Sequence, residues 1–346
     1  MGELTEAVRN RSVYRQLHLE PAGKRTGFSG KLSDLRVSAA GPLPGYADMP
    51  WRQVTAAANS LAADGAEGLA VFIQGCLPVT YEEGRLREDM KQFAAEIKAN
   101  GMEPGDAHIQ VSGQTDAAQY FVTAVGRDFR AAAAQESAGT GTDHCQEPLG
   151  SETDSGMGQC GQRKSLQPGQ ELVLTCQIAL AGTAALARAH REELRRRFPF
   201  WLVDRAEEFD QFMPVAGDAR IAYRSGADTV YSVGEGGIFN ALWEMAECAG
   251  VGLEADLRAI PVNQETIEIC EYFDLNPYYL YSAGCLLIGT GRSQDLVTAF
   301  SDAGVPAAVI GRVTDGNDRI ICNGENRRYL DRPKQDELWR KGGDQL

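Results

Sequence analysis

The hydrophobic pattern of this chain switches repeatedly between a helical and a strand-like period. Residues 54–66, VTAAANSLAADGA, form an Ala-rich helical run that leads into a strand around Leu69 to Ile73. Residues 81–101, YEEGRLREDMKQFAAEIKANG, form an amphipathic helix closed by Gly101. HIQVSGQTD and QYFVTAVG read as two further strands. After residue 168, ELVLTCQIAL is a strand and TAALARAHREELRRRF is a helix whose basic last turn suits its dipole. WLVDRAEEFDQFMPV and ETIEICEYFDL are amphipathic helices, and YLYSAGCLLIG is a buried strand. SQDLVTAFSDAG is a short helix, followed by the strands VPAAVIGRV and DRIICNG. This alternation, without a fixed internal repeat, predicts helices layered on sheets in an α/β or α+β fold.

The most informative run is 231–249, YSVGEGGIFNALWEMAECA. A strand enters the turn Gly234 to Gly237, and Ile238, Leu242, Met245, Ala246 and Ala249 then make one apolar helical stripe. A Gly-Gly pair at a helix start leaves backbone N–H groups open to a phosphate. It equally allows the helix to pack close to its strand. In the helix around Glu265, Glu268 and Glu271 the acids are expected to face water, with Ile267 and Cys270 turned inward.

Three parts follow from composition: an N-terminal domain over 1–127, a Gly-, Ser- and acid-rich loop over 128–167, and a C-terminal domain over 168–346. His144, Cys145 and Cys160 lie in the loop at irregular spacing, where exposed bystanders compete with a metal site, and no metal ligand is assigned. Net charge is −14 and the pI about 4.9, which disfavours nucleic acid and anionic lipid as partners. No apolar run approaches the roughly 20 residues that span a bilayer. The segment MGELTEAVRNRSVYRQL reads as a helix rather than a leader, so the expected location is the cytoplasm. The 8 cysteines include no C-x-x-C pair, and most are expected to be small core residues.

The segments GEGGIFNALWEMAE, GVGLEADLRAIPVNQETIEICEYFDLNPYYLYSAGCLLI and VPAAVIGRVTDGNDRI resemble the C-terminal domain of the aminoimidazole ribonucleotide (AIR) synthetase superfamily. The nearest flavour is its AIR-synthase-related, hydrogenase-maturation-like branch of carbamoyl-dehydrating type. VTAAANSLAADGAE and IQVSGQTD resemble that family's N-D-x-x-x-x-G-A helix and G-G-H-T-E turn. The resemblance implies a two-domain fold: an α/β N-terminal domain that dimerises through its sheet, and a C-terminal domain of helices on a mixed sheet. It implies ATP and magnesium as cofactors, and an oxygen activated by phosphorylation. Carried over residue by residue, the nucleotide site falls on Asn59, Gly113, Thr115, Asp116, Glu235, Gly236 and Gly237.

The departures concentrate on the groups that hold magnesium, which prefers carboxylates and water. Ser60 stands where the helix motif has its acid, and Gln114 and Asp116 replace the His and Glu of the turn. In the C-terminal H-D-x-T-x-G-G motif, Tyr231, Ser232 and Gly234 replace His, Asp and Thr. No counterpart of the G-D-D-A-A stretch appears between Gly23 and Gly45, and KGGDQL stands where the branch has P-R-I-C. No catalytic residue is assigned. The apolar periodicity, by contrast, is intact. The leading expectation is a catalytically impaired, homodimeric binding or partner subunit. The alternative is an active ATP- and magnesium-dependent enzyme whose metal ligands come from Asp116, Glu235 and Asp64.

Overall fold

The computed structural model describes residues 2–19, 35–129 and 166–342. The N-terminal domain comprises β1 (Gly2–Glu3), α1 (Glu6–Arg9), β2 (Leu35–Ala40), α2 (Arg52–Ala63), β3 (Ala66–Pro78), α3 (Glu83–Ala99), β4 (Glu103–Ser112) and β5 (Gln119–Asp128). Its sheet has the order β1-β4-β3-β5-β2; β3 and β4 run parallel across the α3 crossover, and the other pairs are antiparallel. Period-two alternation sends Val71, Ile73 and Leu77 of β3, and Tyr120, Val122 and Ala124 of β5, into a core shared with α2 and α3. The opposite face leaves Val37 (61% exposed), Phe72 (39%) and Phe121 (44%) in contact with solvent.

The C-terminal domain is built on β6 (Glu171–Thr175), β7 (Thr229–Ser232), β8 (Gly252–Asp256), β9 (Leu286–Thr290), β10 (Ala307–Thr314), β11 (Arg319–Asn323) and β12 (Asn326–Tyr329). These form a mixed sheet in the order β12-β11-β8-β10-β6-β9-β7, with β8 and β11 parallel. The helices are α4 (Leu180–Ala189), α5 (Arg191–Arg197), α6 (Phe200–Glu207), α7 (Ala216–Arg224), α8 (Gly237–Ala249), α9 (Gln264–Phe273), α10 (Ser293–Asp302) and α11 (Glu337–Gly342). The mixed α/β architecture is that expected from the sequence.

The domains meet along α2. Its first turns pack Val54, Ala57 and Leu61 into the N-terminal core. Its last residues, Ala62 and Ala63, join a cluster with Val173, Val230, Leu286 and Phe300 of the C-terminal domain. Asn59 is buried between them. Its Nδ2 donates to the Met213 carbonyl at 2.7 Å, and its Oδ1 accepts from the Val215 amide at 3.0 Å. The Tyr46 hydroxyl, also buried, donates across the domains to the Ala181 carbonyl at 2.9 Å.

Several elements differ from the pattern-based reading. The expected helix 183–198 is two helices, broken at His190, whose ring leaves the helical path to pack 4.7 Å from Phe273. The expected strand 279–289 is extended only at β9, because the preceding residues wrap the glycine turn and Gly284 takes φ +107°. On α9, Cys270 is buried and Glu271 exposed as expected, but Glu265 is buried against Arg205 at 3.1 Å and Ile267 is 43% exposed, against the expected pattern. Among the described cysteines only Cys270 and Cys285 are fully buried, and Cys248 is exposed. Strand β2 had no counterpart in the pattern. Of the loop expected over 128–167, residues 130–165, with His144, Cys145 and Cys160, lie outside the described residues.

Replacing Asn59 by Ala would leave a buried carbonyl and a buried amide unpaired between the domains. We expect a loss of about 2–4 kcal/mol in urea unfolding. An unchanged midpoint would show that the amide does not staple the domains.

Candidate functional site

Strand β7 carries Tyr231 and Ser232 to the domain junction, and the chain then turns sharply into α8. Gly236 and Gly237 take φ values of +74° and +67°. A Cβ on Gly237 would lie 2.5 Å from the Tyr278 carbonyl oxygen and 2.9 Å from that of Leu280. Glycine is therefore required there for packing against the 278–280 backbone, whatever else the turn does. The Gly234 carbonyl accepts from the Gly237 amide at 3.2 Å and the Ser282 amide at 3.1 Å, which pins the turn.

In front of the turn lies a cleft of about 640 Å³. Ser60 and Ala63 of α2 form one wall; Tyr231, Ser232, Gly234 and Glu235 form the second; Trp243, Glu244 and Glu247 of α8 form the third. Ser60, Tyr231, Ser232 and Gly234, the four C-domain and α2 positions that depart from the family motifs, thus share one cavity. Three carboxylates line it, and each is engaged by this chain's own donors. Glu235 accepts from Trp339 Nε1 at 2.8 Å, Glu244 from the Tyr231 hydroxyl, and Glu247 from Arg319, whose guanidinium stacks 4.2 Å over the Trp243 ring. Among the described residues, no three His, Cys, Asp or Glu side chains come close enough to hold a metal ion.

A strap from Leu330 through α11 covers the turn. Leu330 and Leu338 are buried, and Asn240 of α8 exchanges hydrogen bonds with the Lys334 backbone at 2.9 and 3.2 Å. The buried Asp336 carboxylate accepts from the Gly236 amide at 2.7 Å and the Leu338 amide at 2.9 Å. An intramolecular anion therefore occupies the amide that the glycine turn offers. Burial pushes the Asp336 carboxyl up from 3.8 to about 6, and nearby Glu235 adds to the rise, against the two amide bonds that favour the charged form.

The residues assigned from sequence separate into two places. Glu235 lines the cleft, and Gly236 and Gly237 are buried behind it. Asn59 sits on the same helix as Ser60, but both its amide atoms serve the domain contact. Gly113, Thr115 and Asp116 lie in the β4–β5 turn, where Thr115 Oγ1 closes the loop onto the Ala117 carbonyl at 2.6 Å. That turn flanks the Pro78 end of β3, whereas α2 enters at the Ala66 end. The strand between them spans about 40 Å, so within one chain these residues do not reach the cleft. Asp336 and Trp339 were not singled out in the sequence: D-E-L-W far from the turn carries no local signal of where it docks.

Residues 167–323 match the family model described as AIR synthase related protein, C-terminal domain. Through that segment the chain resembles the AIR synthase related proteins. The relatives it resembles include hydrogenase-maturation proteins and also the phosphoribosylformylglycinamidine synthase subunit PurL of Methanopyrus kandleri, at 31% identity over 121 residues, 35% of this chain and 16% of that protein. The chain is 34% identical over 90 residues to the carbamoyl dehydratase HypE of Azotobacter vinelandii, a stretch covering 25% of this chain and 26% of that protein. The matched segment is thus about a quarter of the relative's length. The crystal structure of E. coli HypE superposes with a TM-score of 0.68 at 15% identity, covering 97% of this chain and all of that one. A HypE–HypF complex structure gives 0.60 at 18% identity, covering 86% and 90%. At these identities the structures establish the shared fold alone.

The raised Asp336 pKa has a signed consequence. Between 3.8 and about 6 the docked strap holds a proton that the released strap does not, so docking is firmer below that window and loses this stability as pH rises through 6. We expect the Gly236 and Leu338 amide resonances to titrate with a midpoint near 6, and to lose that step in Asp336→Asn. A midpoint near 3.8 would show that burial does not govern this carboxyl.

Proposed function

We propose that this protein is a divergent, hydrogenase-maturation-like member of its superfamily that acts as a binding or partner subunit with impaired phosphoryl chemistry. The observation that carries the reading is the state of the cleft. Its glycine-turn amide is taken by Asp336, and its glutamates are each engaged by Trp339, Tyr231 or Arg319. Serines stand at the two positions, 60 and 232, where the family motifs place acids. Magnesium on a triphosphate needs carboxylate oxygens that are free to coordinate it. A HypE protein has been crystallised in complex with HypF, and a related role in a complex suits a chain that keeps the fold and loses the site.

A second reading rests on the three glutamates themselves. Among the described residues they do not converge on one metal-binding point, so an active ATP- and magnesium-dependent enzyme would have to draw Glu235, beside the glycine turn, together with Glu244 and Glu247, farther along α8, on binding. The two readings separate in calorimetric titration of the purified chain with magnesium and a non-hydrolysable ATP analogue. The partner-subunit reading expects no heat up to about millimolar analogue and no ATP hydrolysis. Micromolar binding that is weakened by Glu235→Ala would give the enzyme reading the lead.

The same proposal includes a homodimer through the uncovered face of the N-terminal sheet, where Val37, Phe72 and Phe121 are exposed side by side with Val125. Exposed large apolar groups on a flat sheet are costly unless a second surface covers them. Phe72→Glu with Phe121→Lys should shift the sedimentation of the full chain from dimer to monomer. A wild-type chain that sediments as a monomer at tens of micromolar, roughly the range of weak association, would remove the dimer from the proposal. The cytoplasm remains the proposed location; no helix among the described residues is long and apolar enough to cross a membrane.

A further inference from the structure

A second concavity, of about 440 Å³, shares no residue with the interdomain cleft. One wall is the turn Arg15–His18, held by amide bonds from Leu17 to the Val13 carbonyl (3.0 Å) and from Leu19 to the Tyr14 carbonyl (2.9 Å). The other wall is α3, which presents Lys91, Ala94, Ala95 and Lys98 at i, i+3, i+4 and i+7. The two alanines leave a trough, and the two lysines stand at its ends, about 10 Å apart along the helix. Its accessible apolar surface comes from Ala94, Ala95 and Pro104, and Leu17, Ile97 and Met102 are packed beneath it at 0%, 1% and 5% exposure.

The charge of this groove runs against the rest of the molecule. The chain carries 48 Asp and Glu against 34 Lys and Arg, yet among the described residues no carboxylate lines the groove. The side chains of Arg15, His18 and Lys98 make no hydrogen bond or ion pair with any described residue. Lys91 touches Glu88 at 3.2 Å, but both are half exposed and the pair contributes little. Unpaired cations around an apolar trough are the arrangement that recognises an anionic head on an apolar body.

We propose that this groove binds a small amphiphilic anion, with a phosphate or carboxylate head held by Arg15, His18 and Lys98, and a short apolar body lying in the trough along Ala94, Ala95 and Pro104. The test is calorimetry on the full chain at low salt with hexyl phosphate as probe. Hexanoate, hexanol and inorganic phosphate serve as comparisons. Hexyl phosphate should bind with a Kd below about 1 mM, and hexanol and inorganic phosphate at least about tenfold more weakly. Binding should fall at least about tenfold in Arg15→Glu/Lys98→Glu and in Ala94→Trp, which fills the trough, while circular dichroism stays unchanged. Hexanoate binding as well as hexyl phosphate would support a carboxylate ligand; binding only of the phosphate would support a phosphate ester. No heat from either amphiphile up to about 10 mM, equal affinity in the charge-reversed variant, or equal binding of inorganic phosphate would overturn the proposal.

Discussion

The constraint on which the rest of the molecule depends is a helix that belongs to two cores at once. Nine residues of α2 are buried, and its two ends serve different domains. Only small side chains permit this: Ala57, Ala58, Ala62 and Ala63 let sheet and helices approach from both sides, where leucines would hold them apart. Burial on both sides favours pairing of the polar groups, and several on or against α2 are paired, although the buried Gln53 Oε1 has no hydrogen-bond partner. Asn59 bridges to Met213 and Val215, Asn100 reaches Thr55 at 3.0 Å, and the Tyr223 hydroxyl takes the Ala63 carbonyl at the helix end. Ser60, which is less buried, is left facing the cleft. The domain contact and the geometry of the site therefore come from the same twelve residues, Arg52–Ala63.

That coupling explains how the cleft can differ from the motifs it resembles while the fold persists. Replacing an acid by Ser60 or Ser232 costs no buried contact, since these positions face a solvent-filled cavity. It does change the electrostatics. Three glutamates around one cavity repel each other unless a cation or several donors neutralise them. Here Tyr231, Trp339 and Arg319 do so, and Arg319 is itself held by the face of Trp243. Tyr231 replaces the family's histidine and serves as one of these donors, which makes the substitutions mutually consistent rather than independent losses.

The architecture was legible in the sequence because it is written in periodicity. The alternation in β3 and β5 and the stripe of Ile238, Leu242, Met245 and Ala246 needed no tertiary knowledge. Gly101, with φ +69°, ends α3 where its sequence position says it should. What failed was decided by distant neighbours. Nothing local to His190 says that its ring will pack on Phe273, or that Glu265 will be drawn inward by Arg205. The site was half legible for the same reason. Motif positions singled out Ser60, Ser232 and Glu235, and the fold brings all three to one cavity. They could not show that Asn59 is used up by a domain contact. Nor could they show that Asp336, a hundred residues from Gly236, supplies the anion at the turn.

The strap also bears on what any ligand of the cleft must overcome. A carboxylate tethered to the same chain competes at an effective concentration of about millimolar or above, without the translational cost that a free anion meets. Asp336 makes two amide bonds from a buried position, and Lys334 locks the strap to Asn240 on the same helix. A phosphate arriving from solution would gain one amide only after breaking that set. A nucleotide could offset the difference by coordinating a metal on the cleft carboxylates, but one oxygen of each is already engaged by Tyr231, Trp339 or Arg319. Release of the strap and release of the glutamates are thus linked through Trp339, which sits on the strap and holds Glu235. Whatever occupies this cleft must act on both together, and a protein surface that draws the strap away can do so more readily than a small anion can.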